Sequence, residues 1–454
     1  MRARILLFIP LLLLPAYAQE ANSSETTMLQ KVIDRLDALE RQNRELADEV
    51  RSLRDELRSA RAAPTKPDST EAAAGSQPPL DERVAVDEQR IAEQAQTKVE
   101  ASQKLPLKLT GMLLFNAFSA SKLPTGAAAS GLAYAGSSSG ASLRQTQLGL
   151  QFQGPHLPGD GQVHGFLSMD FFNGPSYLGS DWLRIRRGVV SFDWQNRSIS
   201  FGQDKPLIAP RQPTSLAEVG VPPLAGAGNL WLWLPQARYE ERHNLGTSSG
   251  FTAQAALMQT AEEYAAIPKE YADSLEQVRP ALEGRIAFWH KFDDVRRFEI
   301  APSFHLSTSH VAGTSVASHI ASLDWLVVPW SKLEISGAAF HGQNVSNLGA
   351  LDQGFTFFDD DRVRAVHSSG GWAQISMPIA RRVTWNLFSG FQSDRAKDLL
   401  PSGITRNLAY ASNVMYRIGP NVLIGLEGLQ TRTRLLSGRE QVQNRYDLAV
   451  AYLF

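Results

Sequence analysis

Toward the C-terminal end, Tyr446, Leu448, Val450, Tyr452 and Phe454 alternate with Arg445, Asp447, Ala449, Ala451 and Leu453. A period of two belongs to an extended strand, whose successive side chains leave opposite faces of a sheet. One face here is aromatic and aliphatic; the other is mostly polar or small. The pattern recurs upstream, with Leu148, Leu150 and Phe152 set against Gln147, Gly149, Gln151 and Gln153. Val163, Leu167, Met169 and Phe171 alternate with Gln162, His164, Ser168 and Asp170, and Phe298, Ile300, Phe304 and Leu306 with Arg297, Glu299, Ser303 and His305. Val383, Trp385 and Leu387 alternate with Thr384 and Asn386. A half-buried strand of a soluble sandwich also alternates, but it rarely sets Gln, His, Arg and Glu at successive inward positions. A membrane barrel with an aqueous lumen needs both faces.

Segments of this kind fall near 107–119, 142–153, 161–172, 182–194, 197–204, 234–243, 250–260, 281–291, 295–307, 313–328, 331–343, 363–377, 381–393, 405–418, 421–434 and 440–454. The expected fold is therefore an all-β transmembrane barrel of about 16 antiparallel strands over residues 105–454. Connection lengths support it. Short turns at Gln195-Asn196, Phe292-Asp293-Asp294, Pro329-Trp330, Pro378-Ile379-Ala380 and Gly419-Pro420 alternate with loops at 120–141, 205–233, 261–280, 344–362 and 394–404. Short periplasmic turns and long outer loops are the rule for such barrels. Trp182, Trp194, Trp289, Trp325, Trp330, Trp372 and Trp385 fall near strand ends or on outward faces, where interfacial girdles place amphipathic rings; barrel packing is the competing role for any one of them.

The residues before 105 read differently. Arg2 and Arg4, the apolar run Ile5 to Leu14 and Pro15-Ala16-Tyr17-Ala18 form a secretory signal over 1–18. Residues 28–61 carry a heptad pattern, with Leu29, Leu36, Asn43, Val50 and Leu57 at a and Val32, Leu39, Leu46 and Leu53 at d. A period of 3.5 predicts a left-handed coiled coil. Asn43 at an a position favours a dimer, whereas Arg35-Leu36-Asp37-Ala38-Leu39-Glu40 resembles the trimer motif of coiled coils. Residues 62–104 form a Pro-rich linker and a short helix, with Pro64, Pro67, Pro78 and Pro79. An even strand count puts both barrel ends in the periplasm, with the coiled coil.

Composition narrows the function. The net charge is -1, which argues against a basic footprint for nucleic acid. There is no Cys, so disulfide frameworks, thiolate metal sites and a Cys nucleophile are excluded. His156, His164, His243, His290, His305, His310, His319, His341 and His367 are scattered, without metal-ligand or nucleophile spacing. Neither an enzyme nor a cofactor site is expected.

The connection from Lys205 to Trp233 is Pro-rich (Pro206, Pro210, Pro213, Pro222, Pro223) yet apolar at Leu230-Trp231-Leu232-Trp233-Leu234. It is too Pro-rich for a strand and too apolar for an exposed loop. Folded inward it would narrow the lumen; packed over the rim it would not.

The signal, heptad helix, Pro-rich linker and sixteen-segment barrel together resemble the DcaP-like trimeric porins. The end of the last strand also resembles the terminal signal of bacterial outer-membrane barrels. The turn Gly202-Gln203-Asp204-Lys205-Pro206 is similar to one in the phosphate-selective porin group. These resemblances imply a homotrimer in the outer membrane, one pore per subunit, and small anionic solutes. Asp204 sets an acid beside Lys205 and no dense lysine ladder follows, so strict phosphate selectivity is not expected.

Candidates for the pore constriction are Arg184 and Arg186 on one strand face, Arg238, Glu240 and Arg242 on the strand leaving the long loop, and Lys205 and Arg211 on the loop. Fixed guanidinium groups in a narrow lumen attract carboxylates and phosphates; paired with lumen acids, they would leave no net field. The alternative function is a structural envelope tether, in which the lipid bilayer anchors the barrel and the coiled coil reaches peptidoglycan.

Overall fold

The structure, a computed structural model, describes residues 107–121, 138–173, 182–262, 267–358 and 362–454. The expected signal (1–18), coiled coil (28–61) and linker with short helix (62–104) lie outside the described residues.

Sixteen strands make one wall. They are β1 (Lys108–Ala120), β2 in two pieces (Ser138–Ser142 and Gln147–Leu157), β3 (Gly161–Asn173), β4 (Trp182–Asp193), β5 (Arg197–Asp204) and β6 (Leu234–Asn244). Then follow β7 (Ser249–Gln259), β8 (Pro280–Lys291), β9 (Arg297–Val311), β10 (Thr314–Trp330) and β11 (Leu333–Gln343). The wall ends with β12 (His367–Ala380), β13 (Val383–Asp394), β14 (Ile404–Arg417), β15 (Val422–Leu435) and β16 (Glu440–Leu453). Each strand pairs antiparallel with the next, and β16 returns to β1, from Met112 opposite Leu453 to Ala120 opposite Arg445. A closed sheet leaves no edge of N–H and C=O groups to be solvated, the condition a hydrocarbon environment imposes.

Phe454 completes the closure. Its carbonyl accepts from the Gly111 N–H at 2.9 Å, and its own N–H donates back to Gly111 at 3.1 Å. Its ring lies over Gly111, where a Cβ would come within 2.5 Å of the ring. Replacing Phe454 by Asp is therefore expected to lower assembled barrel in the membrane severalfold, measured as heat-modifiable protein. Undiminished levels would refute a role for this contact in closure.

The wall is the reverse of a soluble protein. Leu113, Phe115, Phe201, Leu257, Ile286, Phe304, Leu426, Tyr446 and Tyr452 are exposed on its outside. Asn116, Asp170, Glu283, His305, Asp324, Asn386, Gln392, Asn407 and Arg445 are at most 1% exposed, on the inside. That distribution suits hydrocarbon outside and polar groups within.

One end of the barrel carries short turns. In the turn between β8 and β9, the Asp293 carboxylate accepts from the Val295 and Arg296 amides and from the Arg296 guanidinium. The bonds from the Arg296 amide and side chain, then the Val295 amide, hold its carboxyl down to about 2. β10 and β12 run on through Pro329-Trp330 and Pro378-Ile379-Ala380, which the sequence pattern reads as turns; the reversals come later, at 331–332 and 381–382. The other end carries the long loops, with two exceptions. Ala312 and Gly313, both at positive φ, reverse the chain between β9 and β10, and residues 436–439 join β15 to β16.

Trp372 takes the packing role rather than a girdle place. It is buried on the lumen side among Leu224, Ala227, Ala338 and Phe388, because the long loop comes inside to cover it.

Candidate pore constriction

The 205–233 loop folds into the lumen, and its route follows from its own composition. Prolines remove donors, so the loop cannot pair as a strand, and its remaining polar backbone groups take side chains from around the wall. The Leu207 N–H donates to Glu283 on β8, and Ser322 on β10 donates to the Ile208 carbonyl. The Thr214 N–H donates to Gln374 on β12 at 2.6 Å, and Asn413 on β14 donates to the Thr214 carbonyl at 2.8 Å. Asn116 on β1 donates to the Leu216 carbonyl, and Asn407 on β14 to that of Gly226. Gln145, turned inward where β2 is interrupted, donates to the Ala217 carbonyl and accepts from the Val219 and Gly220 amides.

Apolar contacts fill between these bonds. Ile208, Leu230 and Leu234 pack with Ile320, Phe340 and Leu348; Leu224 and Ala227 pack with Trp372 and Phe388; Leu216 packs with Leu114, Ala449 and Ala451. Leu348 belongs to a second inward loop, whose carbonyl accepts from the Trp231 N–H at 3.0 Å.

The turn Gly202-Gln203-Asp204-Lys205-Pro206 sends the loop inward, and its first four residues each have a part. A Cβ on Gly202 would lie 2.0 Å from the Gly188 carbonyl oxygen, so only glycine allows β4 and β5 this close. The β4–β5 ladder ends at Gly188 opposite Gln203. Beyond it, the carbonyls of Ile185 and Arg186 are satisfied by the Gln203 side chain, both at 3.0 Å. Asp204 accepts from Arg187 and from the Lys205 amide. Gln236 and Arg238 on β6 donate to the Lys205 carbonyl at 3.0 and 2.8 Å and hold the chain as it leaves the wall.

Around this corner the charges are unequal. Arg184 grips the Asp170 carboxylate with two bonds, at 3.0 and 2.7 Å, and Arg186 adds a third at 3.0 Å. Both also clamp the loop, Arg184 through the Gly220 carbonyl and Arg186 through that of Val219, each at 2.6 Å. Both guanidinium groups lie over Trp233, at 5.3 and 4.4 Å from the ring centre. Arg187 pairs with Asp204 at 2.5 Å, and Arg238 lies 3.9 Å from the same carboxylate. The Lys205 ammonium, half-buried, makes no ion pair or side-chain hydrogen bond among the described residues, though the charge of Asp204 acts on it. Five cations thus share two carboxylates, Asp170 and Asp204. Glu283, which holds the Leu207 amide and His305, is a third acid acting on Arg238, so the corner keeps a net positive charge.

The other candidates lie elsewhere. Arg211, where the loop runs past β10, pairs with Glu299 at 2.7 Å and Asp324 at 3.2 Å. Arg285 binds the same two acids, so this group is balanced. Glu240 accepts from Arg242 at 2.6 Å and from Gln254 at 2.7 Å. That pair lies further along β6 toward the short-turn end, away from the loop, with the Arg242 side chain 61% exposed.

Sequence alternation overlooks Arg187. A bulge between Ser168 and Met169 of the β3–β4 ladder adds one residue to β4, and Arg186 and Arg187 then both reach lumen acids. It overlooks a buried chain as well. His305 lies 2.9 Å from Glu283 through Nδ1 and 2.9 Å from Ser307 through Nε2. The order carboxylate, imidazole, hydroxyl is that of a hydrolase triad. Here, however, His305 is wholly buried, Glu283 holds the Leu207 amide and Ser307 accepts from Asn347. The chain ties both inward loops to the wall, and its hydroxyl faces other protein groups rather than a substrate space.

A family model described as a domain of unknown function (DUF4848) matches residues 229–320, from the end of the long loop into β10. No curated protein matches the chain in sequence. Among solved structures, the outer membrane channel DcaP of Acinetobacter baumannii superposes with a TM-score of 0.60 at 16% identity, over 77% of this chain and 97% of that one. An anion-selective porin from Comamonas acidovorans superposes with a TM-score of 0.51 at 12% identity, over 77% and 99%. The closed sixteen-stranded barrel of this chain is thus the fold of outer-membrane channels, DcaP among them.

Proposed function

We propose that the chain is an outer-membrane porin, a water-filled channel through which small hydrophilic anions diffuse, and not an enzyme. The observation that carries the reading is the corner around Lys205, where five cations face three carboxylates beside a loop folded into the lumen. Such a site lowers the energy of an anion at the narrowest point and raises that of a cation. The apolar outer face and the fold shared with an outer membrane channel and an anion-selective porin support the same reading. Conductance across a planar bilayer, with reversal potentials in a salt gradient, tests it. Steady conductance with anion preference is expected; a closed lumen would favour the envelope tether.

The assembly in this reading is a homotrimer joined through the heptads of residues 28–61, with the coiled coil in the periplasm, within reach of peptidoglycan. Deleting residues 28–59 should shift purified protein from trimer toward monomer by light scattering. Heat-modifiability of each barrel should persist, because its backbone bonds close within one chain. A fully trimeric deletion variant would assign assembly to the barrel walls.

A further inference from the structure

On the outside of the wall, at the long-loop end, three arginines stand together. Arg406 on β14 is directly opposite Arg434 on β15, and Arg432 is two residues along the same face, opposite Leu408. All three are exposed. Their neighbours Asn407, Thr431 and Thr433 point into the lumen and are buried, which fixes the arginines outward.

Like charges directly opposite on a sheet face destabilise it. The acid at hand is Glu440, opposite Arg434 in the ladder and 3.9 Å from Arg432. Neither Arg406 nor Arg434 makes an ion pair within 4 Å among the described residues. Arg406 instead lies over the Phe391 ring, at 5.9 Å. Arg432 is held in place, since its Nε donates to Gln430 at 2.8 Å. Gln430 also accepts from the Tyr410 hydroxyl and donates to Asn444 at 2.6 Å. Further along the same face toward the short turns come exposed Leu426, Tyr446 and Leu448, an apolar strip.

We infer that this cluster binds the phosphate of a membrane lipid, with the head group between Arg406, Arg432 and Arg434 and the acyl chains lying along the strip below. Arginine forks match phosphate oxygens, and an anion between Arg406 and Arg434 would remove their repulsion. A cluster at the end of the apolar belt meets head groups, where basic residues attract anionic lipid. The inference rests on the barrel spanning a membrane; it does not depend on what the lumen conducts.

The test uses the full chain in neutral detergent, titrated with diacyl phosphatidic acid and followed by native mass spectrometry. Wild type should retain the lipid. Arg406→Gln with Arg434→Gln should retain it at least about tenfold more weakly, given the worth of charged hydrogen bonds. Arg381→Gln with Arg382→Gln, exposed at the opposite end, should bind as wild type does. Phosphatidylcholine with the same chains should bind poorly, and inorganic phosphate should not displace phosphatidic acid. Heat-modifiability and membrane extraction of each variant report barrel integrity separately, so loss of the membrane reading is distinguishable from loss of the lipid site. Equal retention by the Arg406/Arg434 variant would overturn the inference. So would displacement by inorganic phosphate, which would mark a free-anion site, or loss of the trimer in place of lipid, which would mark a contact between copies.

Discussion

Replacing Lys205 by Glu is expected to move the reversal potential strongly toward cations and to slow the uptake of small dicarboxylates or phosphate. At the corner where the loop leaves the wall, Arg184, Arg186, Arg187, Arg238 and Lys205 outnumber Asp170, Asp204 and Glu283 by two charges. The substitution removes that excess. Screening in a water-filled pore acts over roughly 8–10 Å at physiological salt, so only charges at the narrow point matter. Each such charge contributes on the order of 1 kcal/mol to a passing ion, so reversing one shifts the anion-to-cation ratio by at least about tenfold. Lys205 is the clean position because its ammonium holds nothing else among the described residues. Arg184→Glu with Arg186→Glu would confound the experiment. It would place three carboxylates around one buried site and release the Gly220 and Val219 carbonyls, so loop and field would change together. Arg434→Glu, outside the wall, should leave the reversal potential nearly unchanged. Equal shifts from Lys205→Glu and Arg434→Glu would indicate a diffuse surface field, and no shift from either would place the constriction elsewhere.

The wall was legible because period-two alternation is local. Each strand carries its own inside and outside, and the run from Tyr446 to Phe454 shows both. The inward turn of the loop was legible for a similar reason: five prolines in a segment rich in apolar side chains suit neither a strand nor an exposed loop. The charge balance of the site was not legible. Whether Arg184 and Arg186 stand free or neutralised depends on Asp170, and that pairing is set by the β3–β4 register. The same ladder hides Arg187, because a bulge shifts the alternation by one residue and no residue type announces it. Arg211 needed longer-range information still, since its acids lie on β9 and β10, far along the chain. The role of Trp372 stayed open because a tryptophan on a strand looks the same whether lipid or an infolded loop covers it.

Gly228→Val should lift the middle of the loop from the wall and raise single-channel conductance. Gly228 has φ of +97°, a conformation that L side chains rarely adopt. A Cβ there would lie 2.2 Å from the Gly371 carbonyl oxygen and 2.5 Å from that of Phe391. These are wall carbonyls of β12 and β13, whose own ladder bonds leave them little room to retreat. Backbone strain and overpacking each cost about 1–3 kcal/mol, enough to detach a segment held locally by the Asn407 bond to Gly226 and by Leu224 and Ala227 against Trp372 and Phe388. The barrel should remain heat-modifiable, since its ladder does not run through the loop, while the loop should become cleavable by added protease. Gly246→Val separates the two causes. Gly246 also has positive φ, +81°, but a Cβ there would meet nothing within 4 Å, so it tests strain without collision. Wide conductance and cleavage in Gly228→Val alone would place the constriction at the loop seated on the wall. Cleavage with unchanged conductance would mean that the loop is seated there but that the narrowest passage is formed by other groups.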